Sequence, residues 1–316
     1  MWPLQRQNEL QQISHQKTSF WPTELKGFPV LGWLLTIHCT AMLGLVLYPL
    51  PGWRLLVTFT LFAFLGGVST TVCYHRALAH RSLKLHPAVR TLLILVGLLS
   101  GQTAPRGWIS THRLHHATAD TPADPSSPVW RGLWFAHIGW HWQADKRLRA
   151  RYASDLNHMT WIIWDLMLPP IFLVGFFGGA LWGPAAFFWL GAIRLVLVFH
   201  STSVVNSVCH TQTGTAPGED CSRNVWWVAP LQLFLGENWH RNHHCFPSSA
   251  RLGLSWRQPD LGYLIIVGLA RLGLASDIRC VTSKSRLRQV PVGAGCEYSG
   301  PLKAPVPRAN LDSEII

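Results

Sequence analysis

The sequence predicts an all-α membrane protein: four transmembrane helices in two hairpins, with a helical cap on one side that carries the chemistry. Three observations predict it. Charged residues make up 13% of the 316, against about 25% in an ordinary soluble domain. Four mostly apolar stretches of ~20 residues are each long enough to cross a bilayer as a helix. Eight of the 16 histidines gather in three spaced clusters at or beyond the ends of those stretches.

Residues 1–27 are polar, with Arg6, Lys17 and Lys26 and no small-residue cleavage site, so a cytoplasmic segment without a cleaved signal is expected. The first span covers about 28–50. Pro51-Gly52 makes a tight turn into the second, about 53–74, with Arg54 at its mouth where it can snorkel. The third, about 161–182, carries Pro169-Pro170; Gly183-Pro184 turns it into the fourth, about 185–205. Between the hairpins, Thr91 to Ala104 is apolar but too short to cross, and is expected to be re-entrant or interfacial. Residues 117–128 form a Pro-rich loop, and Leu261 to Leu274 an amphipathic surface helix. Residues 28–279 read as one domain, and residues 280–316 lose all periodicity, as a disordered tail would.

Charge sets the expected orientation. Three Lys or Arg lie in residues 1–27, eleven in 74–160 and eleven after 205, so 25 of 27 share one side, which the positive-inside rule makes cytoplasmic. Both termini and all histidine clusters fall there. A net charge of +12 could suit nucleic acid, but basic residues flanking apolar spans are explained by the membrane surface. The seven cysteines show no CxxC pair and no repeated spacing, so neither a disulfide framework nor a sulfur-ligated zinc site is expected.

The histidine spacing carries the chemistry. His112, His115 and His116, and again His240, His243 and His244, sit at i, i+3 and i+4, so each trio is expected to point at one spot. His75 and His80 are five apart, which an ideal helix does not place on one face, so the helix must end or bulge between them. Eight imidazoles exceed the needs of one metal and imply two. His210, four after Asn206 on an expected continuation of the fourth span, is a candidate ninth ligand, with Asn206 holding a metal-bound water. A single His-x-x-His-His is a surface feature about as often as a site; three clusters at one depth are not. His15, His38, His86, His137, His141, His158 and His200 are assigned to packing or interfaces.

Ligand type narrows the metal. Carboxylate-bridged di-iron bundles need two Glu-x-x-His pairs, and only Glu237 with His240 stands near the clusters. There is no His-Glu-x-x-His, so zinc peptidase chemistry lacks its base. An all-imidazole set with open positions suits iron that activates oxygen. Glu237 is then expected to orient a ligand rather than bind.

These residues resemble the membrane-bound fatty acid desaturases, in particular the Δ9 branch acting on acyl-CoA or acyl-lipid. The resemblance rests on His75-Arg76-x-x-x-His80-Arg81-Ser82, His112-Arg113-x-His115-His116 and Gly236-Glu237-x-Trp239-His240-x-Asn242-His243-His244. Val205-Asn206-Ser207-x-x-His210, Ser222-Arg223-Asn224-x-Trp226-Trp227 and His137-Ile138-Gly139-Trp140 add to it, over residues 28–279. It implies two irons and O2, with His75, His80, His112, His115, His116, His210, His240, His243 and His244 in ligand positions and Asn206 in a water-mediated one. It also implies a separate electron donor of ferredoxin or cytochrome b5 type, since no His-Pro-Gly-Gly segment is present. Asp165 and Arg194, charged residues inside spans, depart from the expected pattern. A lipid or alkane hydroxylase or ketolase with the same histidine boxes, and a non-catalytic metal-binding membrane protein, are the rival readings. A transporter would bind near the bilayer midplane, whereas these histidines lie past the ends of the spans.

Overall fold

Four long apolar helices, Phe28–Leu47, Trp53–Ala79, Met159–Trp182 and Pro184–Val208, form the frame of the computed structural model, which describes residues 20–22, 24–142, 151–212 and 219–281. The expected N-terminal segment lies largely outside the described residues, and the expected tail almost wholly so. The second and fourth helices run further than hydropathy alone indicates, to Ala79 rather than Tyr74 and to Val208 rather than Val205. At 27 residues the second is roughly 40 Å long, about 10 Å more than the hydrocarbon thickness. Its final turns therefore project beyond the bilayer, and they carry His75. Half of the fourth helix's apolar window is buried against 17% of the third's, so the fourth sits inside the bundle and the third faces lipid.

The second span changes character along its length. It is α-helical over Trp53–Val68 and continues as a wider π-helix over Ser69–Ala79. Hydroxyl side chains compete with the backbone where the change occurs: Thr70 Oγ1 donates to Gly66 O at 3.0 Å and Ser69 Oγ to Leu93 O. The wide turn ends with His80 N donating to His75 O at 3.1 Å. The bulge that the five-residue spacing required is thus a π-helix, and it sets the two imidazoles side by side, ring centroids 4.9 Å apart.

The short apolar segment forms a 13-residue helix at Pro87–Leu99, four residues earlier than expected. His86 caps it, its Nδ1 accepting from Ala88 N, and Pro87 supplies a preset first turn. Ser100 and Gly101, the latter at φ +85°, end it. Arg194 accounts for its own place inside a span. Its guanidinium donates to Leu99 O (2.8 Å), Gly175 O (3.0 Å) and Ser100 Oγ (3.2 Å), closing the end of this helix where no water can. Asp165 is likewise paired, with Arg106 at 2.8 Å. Neither charge disturbs the four-span arrangement.

The cap consists of helices Pro105–Thr118, His240–Cys245 and Leu261–Arg271 and one small antiparallel pair, Lys84–Leu85 with Ala275–Ser276. Arg76, 1% exposed, fixes it to the second span. It donates to both oxygens of Asp260 (2.9 and 3.2 Å) and to Leu235 O and Ala250 O, each at 2.8 Å. Asp260 in turn caps the helix at Leu261 through Tyr263 N. A Cβ on Gly262 would come within 2.9 Å of Arg76 Nη2, so the guanidinium needs glycine there. One residue from His75, this knot sets how the cap meets the span.

Candidate metal centre

Nine histidines converge where the second span meets the cap, and they do so in two groups. His75, His80, His112, His116 and His243 form one; His115, His210, His240 and His244 form the other. Within each group the ligand atoms lie within 4.8 Å of one another. Each trio at i, i+3, i+4 divides between the groups, which corrects the expectation that it points at one spot. With 100° per residue, i and i+4 are about 40° apart and i+3 falls about 60° to the other side. Helix Pro105–Thr118 gives His112 and His116 to the first group and His115 to the second; helix His240–Cys245 gives His240 and His244 to the second and His243 to the first. His210 also differs from expectation. The helix carrying Asn206 stops at Val208, so His210 lies in the turn beyond it, placed by Asp120 rather than by helical register.

The Nε2 atoms face one another. His75–His243, His80–His112 and His116–His243 are 3.0, 2.7 and 2.8 Å apart; His210–His240, His240–His244 and His115–His244 are 2.8, 3.1 and 3.3 Å. Behind four of these rings stand carboxylates against Nδ1: Glu237 to His75 (2.6 Å), Asp124 to His115 (2.9 Å), Asp120 to His210 (2.8 Å) and Asp220 to His244 (3.1 Å). A carboxylate accepting from Nδ1 holds the proton there and leaves Nε2 as a bare lone pair. Buried lone pairs opposed at ~3 Å repel unless a cation lies between them. Imidazole nitrogens about 2.1 Å from one ion and at right angles are separated by about 3 Å. The donor sets therefore fit two first-row metal ions.

Electrostatics agree with the geometry. Burial, and then the neighbouring imidazoles, hold His80, His112, His116, His240, His243 and His244 well below the ordinary histidine pKa. They are neutral at physiological pH, the form that binds metal. Burial lowers His115 too, but Asp124 outweighs it and the net shift is upward. For Glu237, burial raises the pKa and His75 and Arg76 more than reverse it, so the carboxylate is lowered overall. Asp120 and Asp124 are likewise raised by burial and then lowered further by His210 and His115.

Sequence reasoning names all nine histidines and Glu237 as candidates, and the structure brings them together. It missed Asp120, Asp124 and Asp220. The first two sit in the Pro-rich loop, fully or almost fully buried, and are locked by Ser127 Oγ on Asp120 and by Ser126 N and Asp120 N on Asp124. Two carboxylates four apart, directly after a histidine cluster in an acid-poor chain, were the available signal. Asn206 lines an apolar cavity that runs between the second and fourth spans and past His75, His112 and His240. Of the histidines assigned to packing, His38, His200 and His137 form a hydrogen-bonded chain of their own (3.0 and 2.8 Å), apart from both groups.

Four apolar helices capped by two buried imidazole clusters beside an apolar cavity define a membrane protein of the histidine-rich, metal-binding class. Residues 51–260 match the fatty acid desaturase family. The chain is 37% identical to Delta-9 acyl-lipid desaturase 2 of Arabidopsis thaliana over 81% of its own length and 84% of the relative's. It is 35% identical to the sn-1 stearoyl-lipid 9-desaturase of Synechocystis sp., over 82% of each. To an acyl-CoA C20 Delta5-desaturase of Anemone leveillei it is 39% identical, over 71% and 73%. The chain belongs to the fatty acid desaturase family and is a fatty acyl desaturase, an oxidoreductase of lipid metabolism.

Proposed function

We propose that this enzyme inserts a cis double bond at Δ9 of a saturated acyl chain, using two irons, O2 and two electrons from a separate donor of ferredoxin or cytochrome b5 type. The observation that carries the reading is the division of nine imidazoles into a group of five and a group of four, four of them backed by carboxylates. One iron would be held by His75, His80, His112, His116 and His243, the other by His115, His210, His240 and His244, with Asn206 acting through a water. Bound iron supplies the activation of O2. One hydrogen leaves each of two adjacent methylenes; with two electrons and two protons, O2 becomes two waters.

The chain's own residues position and insulate. Glu237, Asp120, Asp124 and Asp220 fix ring orientation and tautomer. The cavity, apolar along Ala63, Gly67, Val198 and Leu235, holds the acyl chain and excludes water, so that one methylene pair lies beside His75, His112 and His240. The 25-of-27 partition of basic residues supports cytoplasmic placement of both termini and both clusters. Expression in a desaturase-deficient host, with gas chromatography that locates the double bond, tests the reading. A new Δ9 monoene is expected; hydroxy acids, or an unchanged profile from membranes that contain the iron-loaded protein, contradict it.

A further inference from the structure

The wall between the cavity and the bilayer is not a span. On the second helix, Ala63, Gly67 and Thr70 face the cavity; on the fourth, Val198, Ser201 and Asn206 do. Between these two faces the cavity is lined by Pro230–Leu235, a single 3-10 turn at Pro230–Gln232 followed by irregular chain. On its outer side a groove runs along the second span, lined by Leu56, Val57, Thr60, Leu61 and Phe64, one stripe of that helix, and by Leu233. Leu233 thus borders both spaces. Leu56, Val57 and Leu61 are 46, 60 and 52% exposed within the first nine residues of a 27-residue membrane helix, so hydrocarbon, not water, covers that groove.

The wall is strained at its tip. Its two ends are pinned: Val225 N donates to Asn238 O at 3.0 Å, and Leu235 O accepts from the buried Arg76. Between them, two single-turn helices lead to Leu233 and Phe234 at φ +50° and +58°, a left-handed conformation that residues with side chains rarely adopt even singly. Gln232 Nε2 ties the tip to Ser201 O on the fourth span. Trp226, Trp227, Leu231 and Phe234 are exposed, an outward face of the kind lipid accepts.

We propose that acyl chains reach the cavity laterally from the bilayer, past Leu233 and between the second and fourth spans, while still esterified to a membrane lipid. A chain delivered by a soluble carrier would arrive from the aqueous side and has no use for a groove on the lipid face. A chain already in the bilayer lies parallel to that groove and needs only the Leu233 side chain to swing aside. The proposal rests on the desaturase reading for the fate of the chain, not for its route.

The test uses the full-length protein in phosphatidylcholine vesicles containing a phosphatidylcholine whose saturated chain ends in a diazirine. Illumination is expected to label peptides from both the groove (56–64) and the cavity (197–206). Leu61→Trp, which fills the groove without touching the cavity, lowers cavity labelling severalfold, and adding Leu233→Ala recovers it. No cavity labelling in the parent, parent-like labelling in Leu61→Trp, or a loss that Leu233→Ala does not relieve overturns the route. So does a diazirine acyl-coenzyme A probe that labels the cavity when the phospholipid probe does not. Monoene formation on the same vesicles separates the two claims. Cavity labelling without monoene contradicts the desaturase reading alone, and monoene without cavity labelling contradicts the route alone.

Discussion

Glu237 Oε2 lies 2.6 Å from His75 Nδ1, so the glutamate one turn before the third histidine cluster serves the first cluster, across 162 residues of chain. The contact joins the second span to the cap at the metal centre itself. Its carboxylate, also in contact with Thr71 Oγ1 and near Arg76, is held ionised. Glu237→Gln keeps the shape and loses the charge that makes His75 a strong donor. Iron affinity or turnover is expected to fall by about 10–100-fold, measured by iron titration and turnover on one preparation. Parent-like values in both would reduce Glu237 to a packing residue.

Asn206 separates a water-holding role from a structural one. Asn206→Ala is expected to retain much of its iron, because all nine imidazoles remain, and to lose most turnover, about 10–100-fold. Asn206→Asp recovers part, since a carboxylate accepts from the same water. Unchanged turnover in Asn206→Ala would show that the residue does nothing beyond its helix.

Arg194 should matter for stability rather than chemistry. Arg194→Met leaves Leu99 O and Gly175 O without their donor, at about 1–3 kcal/mol for each buried carbonyl. A lowered midpoint of thermal unfolding in detergent is expected. A midpoint equal to the parent's would mean that the end of helix Pro87–Leu99 finds other partners.

The proposed cytoplasmic placement of the cap, which the charge partition supports, can be tested directly. Ala117 and Ser248 are exposed on the cap, so cysteines placed there should resist a membrane-impermeant maleimide added from outside and react once cells are permeabilised. Labelling of intact cells would reverse the orientation.

The spans were legible because hydropathy integrates over about 20 residues, and the errors of a few residues, at Ala79 and Val208, arose where polar chemistry replaces apolar contact. Six of the nine histidines, the two trios, were legible as candidates because helical spacing is visible in sequence. Their division was not: spacing fixes the angle between His112, His115 and His116 but not which way each faces, which depends on how two helices dock. Asp120 and Asp124 were hidden for another reason. Loop conformation has no period, so nothing in Ala-Asp-Thr-Pro-Ala-Asp says that both carboxylates turn inward. The wall at Pro230–Leu235 was invisible too, since its dip toward the membrane is set by Arg76 and Gln232, contacts made across the fold.

The division of the histidines is the centre of the account, and metal content per chain tests it most directly. Protein purified from iron-replete cells is expected to hold about two irons. His112→Ala with His116→Ala removes two ligands of the group of five and should leave about one iron; His115→Ala with His116→Ala strikes both groups and should leave less. Equal losses in the two double variants, or a parent holding a single ion, would contradict the two-centre arrangement.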